Sequence, residues 1–184
     1  CEHILFLVLG AIRMQANSFE KPGYILPQTL IALQGDVELL ASGSSASAFA
    51  VLEESGRNLG LTGSMKIIAA GNNARAESDI YAAGSDTFAS SISLSGGLAL
   101  TALGVGSTAM LTLNNNNLNI PSGSTANTVG QVLVGGPLSL LATGTHSVAQ
   151  ATIDNTADNV STSGVLLSSS ITLKASGDGS ASNL

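Results

Sequence analysis

The sequence predicts an all-β chain wound as a β-solenoid of about six coils. Three observations predict it. Apolar residues alternate with period two, one template recurs six times, and the segments joining the copies vary in length while the template does not. Alternation of period two places one face of a strand inward. Recurrence at fixed internal spacing marks stacked units, none of which buries its apolar face alone. A β-sandwich is the alternative, since alternating strands between regular turn residues suit it too. Six uses of one template favour the solenoid.

The template reads most clearly in "GDVELLASGSSASA" (35–48), "GSMKIIAAGNNARA" (63–76), "GPLSLLATGTHSVA" (136–149) and "SSITLKASGDGSAS" (169–182). The six copies are anchored on Gly10, Gly35, Gly63, Gly96, Gly136 and Ser169. Positions −4, −2, +2 and +4 from each anchor are apolar in every copy, from Phe6, Val8, Ile12 and Met14 in the first to Val165, Leu167, Ile171 and Leu173 in the last. Each copy should therefore open with two short strands flanking the anchor. The anchor glycine falls in phase with the inward positions, where a strand bends or another backbone comes close.

Position +6 is always alanine: Ala16, Ala41, Ala69, Ala102, Ala142 and Ala175. That predicts a spot in the core wide enough for a methyl group only. Position +8 is Gly43, Gly71, Gly104, Gly144 or Gly177, with Ser18 in the first copy; a corner with positive φ is expected there. A thinner third strand follows, carried by small inward residues such as Ala48 and Ala50, Ala74 and Ala76, or Ala149 and Ala151.

The anchors are 25, 28, 33, 40 and 33 residues apart. A solenoid stores such differences in its return segments without disturbing the stacked core. At an inter-strand spacing of ~4.8 Å, six coils make a rod of about 29 Å. Residues 1–184 read as a single repeat domain, and neither end carries a polar capping repeat. Open sheet edges of that kind are templates for another chain. With no initiator Met and no basic n-region, the sequence reads as a processed product or a cut segment.

Charge narrows the function classes. Charged residues are 10% of the chain, the net charge is −6, and there is no Asp, Glu, Lys or Arg between Thr87 and Ile153. An enzyme surface rarely spares so much charge, whereas faces covered by other chains can. The six basic residues (Arg13, Lys21, Arg57, Lys66, Arg75 and Lys174) are scattered. They form no stripe that would neutralise a phosphate backbone, so no nucleic-acid partner is expected. The longest apolar run, Ile4 to Leu9, is too short for a transmembrane segment. The single Cys1 excludes an intramolecular disulfide framework. A cysteine-poor, Ser/Thr/Asn-rich chain fits a secreted or cell-surface setting.

Motifs that would carry chemistry are weak. His3 and His146 are the only histidines. His146 follows corner glycine Gly144, and the nearest carboxylate in sequence that would serve it as a partner is Asp154; an exposed loop histidine is expected. A Cys1–His3 pair would sit on an unfixed terminus. A first-position cysteine also opens processed bacterial lipoproteins, but strand residues begin here at Ile4 with no polar tether, which weighs against a lipid. "GVGSTA" (104–109) matches a dinucleotide-loop spacing, yet it runs into strand-like "MLTLNNNNL" rather than a helix whose N-terminus would hold a pyrophosphate. It reads as a coil corner. "DNTADN" (154–159) offers Asp154 and Asp158 in a return loop, with oxygen donors of the type calcium takes, and a solvated loop is the plainer reading. Glu53, Glu54 and Arg57 read as a surface loop, and the "NVS" sequon (159–161) as accidental. In "LNNNNLN" (113–119), Asn114, Asn115, Asn116 and Asn117 would form either an amide ladder or a turn.

The phrase "GSMKIIAAGNNARA", echoed by "GDVELLASGSSASA", resembles the repeat of Fap-type functional amyloids, secreted subunits of biofilm fibres. The likeness covers about a dozen residues per copy. The family's regular Gln/Asn positions are Ala, Ser or Thr here, and no Cys-x-x-Cys occurs. The arrangement is also similar to the β-solenoid repeats of filamentous-haemagglutinin-like adhesins. Both resemblances imply a secreted bacterial fibrous protein, and neither transfers a catalytic residue. The expectation is a non-enzymatic structural subunit of a self-assembling extracellular filament, its partner being itself through end-to-end strand pairing. No catalytic residue, cofactor or metal ligand is assigned. The alternative is an adhesin segment that presents variable loops in 105–131 or 145–163 to a surface receptor or glycan. A polysaccharide-cleaving enzyme would need clustered carboxylates on one face, against which the charge-free middle argues.

Overall fold

The computed structural model describes residues 4–7, 31–33, 35–55, 58–84, 89–117, 129–157 and 162–184. All regular structure among them is β-strand: β1 (Ile4–Leu7), β2 (Ile31–Leu33), β3 (Val37–Ala41), β4 (Ser47–Ser55), β5 (Leu59–Leu61), β6 (Met65–Ala69), β7 (Arg75–Ala83), β8 (Ile92–Leu94), β9 (Leu98–Ala102), β10 (Thr108–Asn117), β11 (Val129–Val134), β12 (Leu138–Ala142), β13 (Val148–Ala157), β14 (Thr162–Leu167), β15 (Ile171–Ala175) and β16 (Ala181–Asn183). They form three sheets, each of which the chain visits in turn. The first holds β2, β5, β8, β11 and β14; the second β1, β3, β6, β9, β12 and β15; the third β4, β7, β10, β13 and β16. Every strand pairs with its counterpart one circuit away, and each of these pairings is parallel. A sandwich would bring sequential strands together as antiparallel hairpins, and none occurs among the described residues.

The repeat explains the register. Val37, Met65, Leu98, Leu138 and Ile171 stack at one rung of the second sheet, and Leu39, Ile67, Leu100, Leu140 and Leu173 two residues on. Leu59, Ile92, Val132 and Val165 do the same in the first sheet. Inward residues of all three sheets meet in one apolar core. A slip of one residue would turn each of these side chains outward, so the pattern pins the pairing.

Two of the three connections per circuit are constant. Three residues join the first sheet to the second (62–64, 95–97, 135–137, 168–170), and five join the second to the third (42–46, 70–74, 103–107, 143–147, 176–180). From β2 onwards, the variation falls between the third sheet and the next strand of the first: 56–58, 84–91, 118–128 and 158–161. The return segments are therefore shorter than the sequence alone implies. β10 and β13 occupy much of 105–131 and 145–163, and Glu53 and Glu54 belong to β4 rather than to a loop.

The first copy is placed differently from the reading anchored on Gly10. Ile4 and Phe6 stand in register with Val37 and Leu39, where the template would put Ile12 and Met14. The run Ile4–Leu9 is apolar at both parities, so period two does not select a register there. Ile12, Met14 and Ala16 lie outside the described residues.

The alanine column is a structural fact in the interior: Ala41, Ala69, Ala102 and Ala142 are each fully buried. Ala69→Leu should overpack that column and cost about 1–3 kcal/mol. A urea-unfolding midpoint equal to that of the unmodified chain would refute this packing.

Candidate functional site

With no enzymatic cluster predicted, the residues to place are the alanine column, the corner glycines, the Asn run and the outer surfaces. Ala175 pairs in register with Ala142, yet it is exposed because no described circuit lies over β15.

The corner glycines do not have the backbone expected of them. Gly43, Gly71, Gly104, Gly144 and Gly177 are absent from the residues with positive φ. The left-handed residue stands two positions later, at Ser45 (φ 56), Asn73 (54), Gly106 (65), His146 (55) and Gly179 (64). A bond from the amide of residue +11 to the glycine carbonyl closes each four-residue turn, as from Ser107 to Gly104 at 3.1 Å. Positive φ at the third residue is the type II signature. The glycine is required for a different reason: a Cβ on Gly104 would overlap the carbonyl of Gly71, and one on Gly71 the carbonyl of Gly43. The anchor glycines obey the same constraint, since a Cβ on Gly96 would overlap the carbonyl of Gly63.

The left-handed residues have a task of their own. Their N–H groups donate to the carbonyl of residue +9 in the next circuit: Ser45 to Asn72, Asn73 to Val105, Gly106 to Thr145 and His146 to Asp178, each at 2.8 Å. Side chains add bonds that run the opposite way, with the later circuit donating. Asp36 Oδ1 accepts from the Ser64 amide and hydroxyl at 2.7 Å, and Asn72 Oδ1 accepts from the Val105 amide at 3.2 Å.

The Asn run divides by parity. Asn115 and Asn117 are fully buried, whereas Asn114 and Asn116 lie on the outer face of β10, half-buried. The amide ladder runs between circuits rather than along the run. Asn115 Nδ2 donates to Asn155 Oδ1 at 2.7 Å, and Asn155 Nδ2 donates to the carbonyls of Gly130 at 3.1 Å and Gly164 at 3.0 Å. Ser90 completes the cluster. Its amide donates to Asn117 Oδ1 at 2.7 Å, Asn117 Nδ2 donates to its carbonyl at 3.2 Å, and its hydroxyl lies 2.8 Å from Asn115 Oδ1. The cluster closes the corner from which the variable connections leave. Nothing in the spacing points to Ser90, and Asn155 was not singled out. The usable signal was that Asn155 sits at the same distance past its anchor (+19) as Asn115 does past Gly96.

Residues considered for chemistry stay apart. His146 is exposed in its turn, and "GVGSTA" forms the corner between β9 and β10 with no helix following. Asp154 is an exposed residue of β13, not of a loop, and Asp158 lies outside the described residues. Arg75 pairs with Glu77 on the outer face of β7 at 2.7 Å. Among the described residues, no group of three or more His, Cys, Asp or Glu is placed to hold a metal ion, and no helix is long and apolar enough to cross a membrane.

What the described surface does offer is apolar. Ile171 is 45% exposed and Leu173 48%, whereas Leu138 and Leu140, one circuit below, are essentially buried. Val165 and Leu166 on β14 are likewise exposed. Comparison with family models, curated proteins and solved structures finds no match to this chain.

Proposed function

We propose that the chain is a β-solenoid of about six coils and a non-enzymatic structural subunit of a self-assembling extracellular filament. The observation that carries this reading is the in-register parallel stack, in which each circuit repeats the strand pairing and the inward apolar rungs of its neighbour. A surface of that kind is a template for strand addition by a further layer of the same shape. The charge-free stretch between Thr87 and Ile153 adds outer faces that pack without desolvating ions. Secretion rests on composition and on the resemblance to biofilm-fibre repeats.

A second reading has an observation of its own. Because the length variation lies at a single corner, the chain also has the form of an adhesin segment displaying 84–91, 118–128 and 158–161 to a receptor or glycan. Negative-stain electron microscopy over a dilution series separates the two. The filament reading expects uniform filaments that persist on dilution. Monodisperse short particles at every concentration would replace it with the adhesin reading.

A further inference from the structure

Resting on the filament reading, we infer that an apolar ridge at the corner between the second and third sheets is a lateral contact between copies of this chain, holding filaments side by side. The ridge is built on Leu103 and Val105, in the turn that joins β9 to β10. Leu103 is 45% exposed and Val105 51%. Their turn is hydrogen-bonded to the corresponding turns of the circuits before and after it. Their exposure therefore belongs to the stacked fold and not to an end of the chain.

The repeat supplies its own controls. The position of Leu103 is Ser42, Ala70, Thr143 and Ser176 in the other described circuits, and that of Val105 is Ser44, Asn72, Thr145 and Asp178. The turn does not need bulk there. Val105 meets its neighbours through main-chain groups: its amide donates to Asn72 Oδ1 at 3.2 Å, and its carbonyl accepts from the Asn73 amide at 2.8 Å. One circuit thus holds two branched apolar side chains in water where the others carry small or polar ones, with no return in core packing. Half-buried apolar residues extend the ridge on both sides. Ile68 and Leu141 flank Thr101 on the outer face of the second sheet, and Met110 and Val148 lie on the outer face of the third.

Charge identifies the occupant. The chain carries a net charge of −6, so two copies repel each other over much of their surfaces. The ridge lies within the stretch between Thr87 and Ile153 that has no Asp, Glu, Lys or Arg. On the preceding circuit, Arg75 and Glu77 form an ion pair, and Lys66 stands in register with Glu38. A second copy therefore meets the least repulsion where it also finds apolar surface, ridge against ridge, with the same patch serving both partners. The contact lies on the side of the stack and leaves both ends free. A patch of a few side chains is too small to hold a dimer of free chains. Repeated at every subunit along a filament, it becomes a multivalent seam.

The test compares the 184-residue chain with the double variant Leu103→Thr/Val105→Thr, which gives this turn the residues that the next circuit carries at Thr143 and Thr145. Both side chains are exposed, so the variant should keep the circular-dichroism spectrum and melting profile of the unmodified chain. In negative-stain electron microscopy the unmodified chain should form filaments joined side by side, more so as added sodium chloride screens the like charges. The variant should form single filaments of unchanged length. Single filaments from the unmodified chain, or joined ones from the variant, would overturn the lateral contact while leaving the filament reading standing. Joining that dissolves as salt is added would show an ionic seam and overturn it as well. Single filaments that bind neutral phosphatidylcholine vesicles, with binding lost in the variant, would give the ridge to a lipid surface instead. An unmodified chain that forms no filaments would overturn both readings.

Discussion

Gly104→Ala should be among the most damaging single substitutions in the chain, lowering stability by about 3 kcal/mol or more. The added methyl would overlap the Gly71 carbonyl group, which is backbone and has no rotamer through which to retreat. Two circuits would have to separate locally, stretching the corner bonds on both sides. Gly97→Ala is the matched control. Its Cβ would meet only Pro137, at 3.5 Å from Cγ, an ordinary contact. That variant should be neutral or up to about 1 kcal/mol more stable, because alanine restricts the unfolded chain. Urea unfolding of the pair checks the argument, and equal midpoints would sink it.

The second large effect is expected at Asn117→Ala. Asn117 is fully buried, and it satisfies both the amide and the carbonyl of Ser90. Truncation removes the partner of two backbone groups at a buried position, at about 1–3 kcal/mol for each. Asn114→Ala, two positions before Asn116 and on the outer face, removes an amide whose buried Oδ1 has no partner. It should change stability by no more than about 0.5 kcal/mol. Hydrogen exchange gives a finer readout: the Ser90 amide should lose protection in Asn117→Ala and keep it in Asn114→Ala. Equal protection in both would mean that the corner is held by something other than this cluster.

These pairs also mark what the sequence discloses and what it withholds. The all-β class, the inward parity of Leu39, Ile67, Leu100 and Leu140, and the narrow alanine column were legible because a core enforces them residue by residue. The role of Gly104 was only half legible. Glycine is used both for positive φ and for close backbone approach, and spacing does not tell the two apart. The residue that does adopt positive φ is Ser45, Asn73, Gly106, His146 or Gly179 in turn. Since the bond its amide makes to the next circuit holds that backbone whatever the side chain, composition blurs the position. The Asn run hid its own division, since four identical residues carry no parity signal. The placement of β1 was out of reach for the same reason: Ile4 to Leu9 offers apolar side chains to both faces.

Strand pairing that joins each circuit only to its neighbours has a consequence for how the fold comes into being. Its contacts bridge roughly one circuit of chain, never the length of the molecule, and because closure entropy grows only slowly with loop length, the cost of closing each loop is similar at every step. Stability then behaves as a sum over adjacent pairs, as in a one-dimensional lattice. No rung is privileged as a nucleus. Order started anywhere can spread in either direction, and a defect in the middle, such as one at Gly104, splits the lattice into two shorter runs that must each stand alone.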